Sequence, residues 1–271
     1  MSATLSFSRD PAAPLIRFDA VYKRFGEQQV HDGISFAVRR GTVHFVIGQS
    51  GVGKSVLIKE LVGLLKPDRG KIEFDGVDVT KLDESGFFAV RARCQMIFQQ
   101  ATLFDSMTVL ENVVMPVRKR FRLSAREARE RALEALDLMH VRPLAERSPQ
   151  SLGPGLRKQV AIARALVLRP EALLYDEPTT GLDPIAAGRT DTLIRETTQE
   201  LGITALVVSH DLASVRAIGD WVTLLHEGKV RFDGMPSAFF ASPDPVVRTF
   251  IEPERRKRNR HPIGSAPDGS L

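Results

Sequence analysis

The chain predicts an α/β fold built on a mostly parallel sheet, with an N-terminal antiparallel β subdomain and an inserted α-helical subdomain. Three observations predict it. Residues 48–55 form a glycine-rich loop between a short apolar strand pattern and a helical one. From residue 157 onward strand and helix patterns alternate, which implies parallel strands joined by crossover helices. Between these, residues 108–147 lose strand character and read as helices.

Taken in order, residues 1–13 read as a disordered leader. Residues 15–47 hold short apolar bursts, at 15–18, 34–38 and 43–47, separated by Gly26, Gly33 and Gly41. Those are expected antiparallel strands feeding a loop. A helix over 55–65 stops at Pro67-Asp68-Arg69-Gly70, a turn. A β pair follows at 71–74 and 77–79, joined by Asp75-Gly76. Residues 93–99 read as a strand ending in glutamine. Thr108 opens a helix to Met115, which Pro116 is expected to interrupt. Ser124-Ala125-Arg126-Glu127 caps a second helix, to about Met139. Then come helix 157–168, strand 173–175, helix 184–201, strand 204–208, helix 211–218, and strands near 221–225 and 229–232. No internal repeat and no second glycine-rich loop is found.

Gly48-Gln49-Ser50-Gly51-Val52-Gly53-Lys54-Ser55 fits G-x-x-x-x-G-K-[ST] at every fixed position. Glycines let the backbone wrap so that successive N–H groups face phosphate oxygens. Lys54 can reach the β- and γ-phosphates, and Ser55 can ligate Mg²⁺. A following helix adds its positive N-terminal dipole. A purely structural glycine turn is the alternative, and the strand–loop–helix context favours the phosphate cradle of a P-loop NTPase. Such a site needs a second set of groups. The apolar run Ala172-Leu173-Leu174-Tyr175 delivers Asp176 and Glu177. Asp176 suits the Mg²⁺ region through water, and Glu177 can orient an attacking water. A helix-capping role for the two acids is the other reading.

Bulk composition narrows the class. With 43% hydrophobic residues and 26% charged, the chain can bury a large core. A single cysteine, Cys94, excludes an internal disulfide framework and reads as a packed thiol. No run approaches 18 apolar residues, so no membrane span is expected. Residues 1–14 lack a basic region and an apolar run, so no signal peptide is expected either. Residues 254–260, Glu-Arg-Arg-Lys-Arg-Asn-Arg, concentrate part of the +5 net charge. Nucleic acid or anionic lipid would suit such a segment; a disordered, solvated tail over 252–271 is the plainer expectation.

The motifs together resemble the ATP-binding subunits of ABC transporters, over about residues 15–250. The resemblance implies ATP and Mg²⁺ as ligands and makes residues 14–251 the ATPase domain, with the helical subdomain at about 105–165. It implies that Phe25 stacks on adenine and that Gln99 senses Mg²⁺ and water. Thr179-Thr180-Gly181-Leu182-Asp183 resembles the loop that reports across a dimer interface. His210, in Val208-Ser209-His210-Asp211, matches a histidine that contacts the γ-phosphate. Lys54, Glu177 and His210 are thus the implied catalytic groups, with Ser55, Gln99 and Asp176 at the metal. The remaining histidines, His31, His44 and His226 among them, show no metal spacing and read as core or surface residues.

One segment departs from the family. A Leu-Ser-Gly-Gly-Gln-type signature should open the helix after the insert, and Leu152-Gly153-Pro154-Gly155-Leu156 stands there. In the family this segment closes over ATP held by the other subunit. Gly153 has no hydroxyl and Pro154 has no N–H, so donors to a charged group are missing, each worth about 1.5–3 kcal/mol. Gly155 remains. Proline suits a first helical turn, so the helix itself should survive. A homodimer would carry two attenuated sites; in a heterodimer a partner's signature would meet this chain's intact loop.

Residues 98–113 and 234–250 carry a narrower similarity, to the ATPases of Mla/Mce-type lipid transporters. That resemblance implies an integral-membrane permease docking beside Gln99 to Val113, a second ATPase subunit, and a Mce-like substrate-binding protein. It implies a phospholipid or other hydrophobic substrate and a cytoplasmic, peripheral position on the inner face of the membrane. Importer ATPases for polar small molecules share many of these residues. A soluble ABC ATPase acting on nucleic acid and a non-catalytic regulatory subunit are the rivals. The first carries two modules or a long coiled coil, so no nucleic-acid partner is expected. Intact Glu177 and His210 oppose the second.

Overall fold

A computed structural model of the chain describes residues 5, 7, 8 and 10–260. Strands β1 (Ile16–Phe25), β2 (Gln28–Val38), β4 (Arg69–Phe74) and β5 (Val77–Asp78) form an antiparallel sheet in the order β2-β1-β4-β5. β3 (Val43–Gly48) leaves it and enters the larger sheet. There it lies beside β6 (Cys94–Ile97), β7 (Ala172–Asp176), β8 (Thr204–Ser209), β9 (Trp221–His226) and β10 (Lys229–Gly234) in the order β10-β9-β3-β8-β7-β6. All neighbours are parallel except β10.

Both faces of this sheet are covered, so its inner strands are apolar throughout. Phe45, Leu173, Tyr175 and Val207 point into one core, shared with the helical insert. Val46, Leu174, Leu206 and Val208 point into the other, shared with the antiparallel sheet. Helix α1 (Lys54–Leu61) lies on that second side, burying Leu57, Ile58 and Leu61.

β1 and β2 are longer than the apolar bursts suggested. Between Phe18 and Val21 the pairing register shifts, and Ala20 takes a φ of 46°. The bulge breaks the two-residue period, which hides the strand in the sequence. Helix α2 (Glu84–Arg93) is absent from the sequence reading. It buries only Phe87 and Val90, so its apolar face is faint, although Asp83 caps it by accepting from the Gly86 N–H at 2.8 Å.

The insert holds α3 (Val109–Arg120), α4 (Ala125–Leu138) and α5 (Pro154–Leu166). Pro116 was expected to interrupt α3, and α3 continues through it to Arg120. Val109, Val113 and Val117 are fully buried, and that apolar face outweighs one missing backbone bond. Thr108–Glu111 and Ser124–Glu127 form reciprocal capping boxes. Helices α6 (Pro184–Leu201) and α7 (Leu212–Ile218) complete the crossovers.

Both termini differ from expectation. In the leader, Phe7 packs edge-on against Phe74 with ring centroids 6.3 Å apart, and the Ser8 N–H donates to Asp75 O at 2.8 Å. Burying an aromatic ring holds this stretch against β4; residues 1–4, 6 and 9 lie outside the described residues. At the other end come α8 (Pro236–Ala241) and α9 (Pro245–Arg260), the latter running through the first nine residues of the expected tail. Arg, Lys and Glu are good helix formers, so charge alone does not end it. Residues 261–271 of the expected tail lie outside the described residues.

Candidate active site

Parallel order places the site. Ile47 on β3 pairs with Ser209 on β8, and Asp176 on β7 pairs with Val208 on β8. Ile97 on β6 pairs with Tyr175. Four strands therefore end at one level, delivering Gly48, Gln99, Asp176, Glu177 and His210 to the carboxyl edge, where open α/β sheets bind ligands.

The loop is built for close backbone approach. Gly53 caps α1 in a left-handed conformation, φ 102°, which glycine adopts without strain. A Cβ there would stand 2.5 Å from Val30 Cγ1, and one on Gly48 would stand 2.7 Å from Leu225 O. Lys54 lies back across the loop and donates to Gly48 O at 3.0 Å and Gln49 O at 3.1 Å. Burial lowers its pKa, and the nearby charge of Glu177 opposes that shift.

Ser55 Oγ donates to Asp176 Oδ1 at 2.6 Å. A hydroxyl and a carboxylate in contact beside a phosphate loop are the hard oxygen donors Mg²⁺ prefers. Among the described residues no three His, Cys, Asp or Glu side chains cluster as a metal cage. The donor set therefore fits a metal held jointly with substrate phosphates and water, and Ser55 and Asp176 would hold it.

Glu177 stands between the two halves. Its Oε1 lies 3.7 Å from Lys54 Nζ, and its Oε2 lies 2.8 Å from His210 Nδ1. Thr180 Oγ donates to the same Oε2 at 3.0 Å, and the Glu177 N–H donates to Val208 O at 2.9 Å. Glu177 has a φ of 48°, an unusual backbone that turns its side chain out of the β7 line. His210 is 61% exposed, free to meet a ligand from the solvent side. The capping alternative for these acids does not hold: Asp183, not Asp176 or Glu177, caps the helix that follows. A cavity of about 880 Å³ opens beside Gly48, Gln49, Thr180 and His210, with Val246 and Phe250 of α9 as its far wall.

The other expected residues are spread around this centre. Phe25 is 44% exposed, with Lys23 Nζ 5.2 Å from its ring centroid. Gln99 is exposed at the end of β6. Its carbonyl and that of Phe98 accept from Lys158 Nζ at 2.6 and 3.0 Å. Lys158 is buried on α5, and burial lowers its pKa to about 8. Asp183 accepts from the Ile185 and Ala186 N–H groups at 3.0 and 2.9 Å, capping α6. Gly153 caps α5 without a side-chain hydrogen bond and Pro154 opens its first turn. Gly153 and Pro154 are exposed, and none of 153–155 lines the cavity beside the phosphate loop of its own chain.

Thr180 and Lys158 were missed as contributors to the site. Thr180 lies within Thr179-Thr180-Gly181-Leu182-Asp183, and its hydroxyl alone is the signal. Lys158 left no signal, because its partners are carbonyls 59 and 60 residues away. Cys94 is the packed thiol expected; burial pushes its pKa up.

A phosphate loop, a Ser–Asp pair and a Glu–His pair at the ends of neighbouring parallel strands define a nucleotide-hydrolysing cassette. Residues 31–180 match the ABC transporter family, and the chain belongs to that family. Its members' ATP-binding subunits hydrolyse ATP, and this chain is such an ATPase. It is 37% identical over 227 residues to the intermembrane phospholipid transport system ATP-binding protein MlaF of Escherichia coli K12, covering 84% of each chain. It is 39% identical over 233 residues to the methionine import ATP-binding protein MetN of Rhizobium johnstonii, covering 86% of this chain and 64% of that one. The fold matches cbiO1 of Clostridium perfringens, part of the transporter complex cbiONQ, with a TM-score of 0.80 at 30% identity over 92% of this chain and 99% of that one. It also matches the dimeric cassette MJ0796 bound to ADP and Pi, with a TM-score of 0.74 at 30% identity over 82% of this chain and 98% of that one.

Proposed function

We propose that this chain powers a membrane transporter of phospholipid or a similar hydrophobic substrate by hydrolysing ATP in a dimer with two composite sites. The observation that carries the chemistry is the position of Glu177, 2.8 Å from His210 and 3.7 Å from Lys54. Glu177 orients the attacking water and accepts its developing proton, with Thr180 and His210 holding the carboxylate. Lys54 leaves its loop carbonyls for the β- and γ-phosphates and neutralises their charge. Ser55 and Asp176, with Gln99, would hold Mg²⁺, which would neutralise phosphate charge. Phe25 offers its open ring to adenine.

Each site takes its second half from another subunit, through the 152–156 segment and Asp183. This fits the exposure of Gly153 and Pro154 away from their own phosphate loop. The permease docks beside Gln99, where Phe98 and Phe104 are exposed. The chain then sits peripherally on the inner face of the membrane, with a Mce-like protein as the substrate-binding partner. No described helix is long and apolar enough to cross a membrane. The phospholipid assignment rests on the similarity to MlaF; the similarity to MetN supports a second reading, import of a polar small molecule.

The test is ATP hydrolysis by the detergent-solubilised complex captured through a tag on this chain. A permease and phospholipid should co-purify, and Glu177→Gln should reduce turnover at least about a hundredfold. Absence of membrane protein, or a mutant equal to wild type, defeats the reading; a permease with a bound polar solute selects the second one.

A further inference from the structure

His31 and Glu60 take no part in the chemistry above, yet they lie directly beneath it. Both side chains are fully buried. His31 is on β2 and Glu60 is on α1, so the two bridge the antiparallel sheet and the helix that follows the phosphate loop. His31 Nε2 lies 3.0 Å from Gly53 O, and Nδ1 lies 3.4 Å from Glu60 Oε2. That second contact falls short of a hydrogen bond, and neither Glu60 oxygen nor His31 Nδ1 hydrogen-bonds to any other group among the described residues. Burying such groups is costly unless they serve each other.

The hydrogen positions follow from the partners. A carbonyl only accepts, so Nε2 carries a hydrogen toward Gly53 O. Nδ1 then faces a carboxylate oxygen. A bare Nδ1 opposite an ionised Glu60 would set two lone pairs against each other in a dry site. One hydrogen between them, carried by either group, removes that conflict.

Gly53 O also accepts from the N–H groups of Val56, at 3.0 Å, and Leu57, at 3.3 Å. Across a trans peptide the carbonyl and the next N–H point in opposite directions. Holding Gly53 O toward His31 therefore turns the Lys54 N–H away from the buried pair. A Cβ on Gly53 would stand 2.7 Å from His31 Nε2, so the contact needs glycine there.

We propose that the His31–Glu60 pair is a positioning device that orients the 53–54 peptide, presenting the Lys54 N–H to a nucleotide phosphate. The proposal rests on reading residues 48–55 as a phosphate cradle. Two measurements on the full chain test it. Nitrogen NMR of the histidine rings should show His31 with hydrogen on Nε2, and its signal should move when ADP is added. A His31 ring bearing hydrogen on Nδ1 alone overturns the proposal. In fluorescence titrations, His31→Phe should raise the Kd for ADP about tenfold, whereas Glu60→Gln, whose amide donates to Nδ1, should stay within about twofold of wild type. An unchanged Kd in folded His31→Phe overturns the device, and an equal loss in Glu60→Gln overturns the part assigned to the Nδ1 side of the ring. If His31→Phe does not fold, the NMR result on the wild type decides. A wild type that binds no ADP defeats the cradle reading itself, and the proposal with it.

Discussion

Asp191 shows how tightly the region behind the site is packed. It is buried on α6, accepts from Ser214 Oγ at 2.8 Å, and has a pKa raised to about 6, first by burial. A carboxyl raised in the folded state contributes its stability below its unfolded pKa, near 3.8, and loses it as pH rises through about 6. At about 1.4 kcal/mol per pH unit, the cost approaches 3 kcal/mol above pH 6. Asp191→Asn keeps the acceptor and removes the ionisation. Its melting temperature should gain on wild type between about pH 4 and pH 6 and hold a steady lead above that; a constant difference from about pH 4 to pH 7 contradicts the shift. The signal for Asp191 was absent from the sequence, where it is one acid among many on a helix. Glu177 was legible, because it follows an apolar strand and an Asp. Its contacts with Thr180 and His210 became definite only in space.

At the scale of elements, α5 is the informative one. It begins at Gly153 and Pro154, keeps a regular first turn, and ties itself through Lys158 to the carbonyls of Phe98 and Gln99. The helix is thus intact while its N-terminus lacks a hydroxyl and an N–H. Replacing Gly153-Pro154 by Ser-Gly should raise ATP turnover of the assembled complex at least about tenfold, since even one restored donor to charge is worth about 1.5 kcal/mol. No rise would mean that another subunit already supplies the signature. α3 and α4 teach a different lesson. Their capping boxes at Thr108 and Ser124 are local and readable, and Ser124→Ala should cost about 1 kcal/mol, measured by urea denaturation. The passage of α3 through Pro116 is not local; it depends on Val109, Val113 and Val117 finding one core.

For the whole molecule, none of 153–155 lines the cavity beside the phosphate loop of its own chain, and the proposed composite site therefore requires a second subunit. Glu177→Gln with Mg-ATP should shift the chain from monomer to dimer in sedimentation velocity, while ADP should not. A monomer in both conditions contradicts the composite site in the absence of a second subunit. The same scale explains the two cores: the large sheet is covered on both faces, so its strands show no polar side and little period to read.

The α/β class, the phosphate loop, the Asp176–Glu177 pair and His210 were determined by the sequence alone. Each is a short local pattern, set by glycine conformation, strand apolarity or adjacency along the chain. The bulge in β1, the path of α3, the Lys158 contacts and the His31–Glu60 pair were decided only by the tertiary structure. They join segments tens of residues apart, and their energies come from burial and from partners that no local pattern encodes.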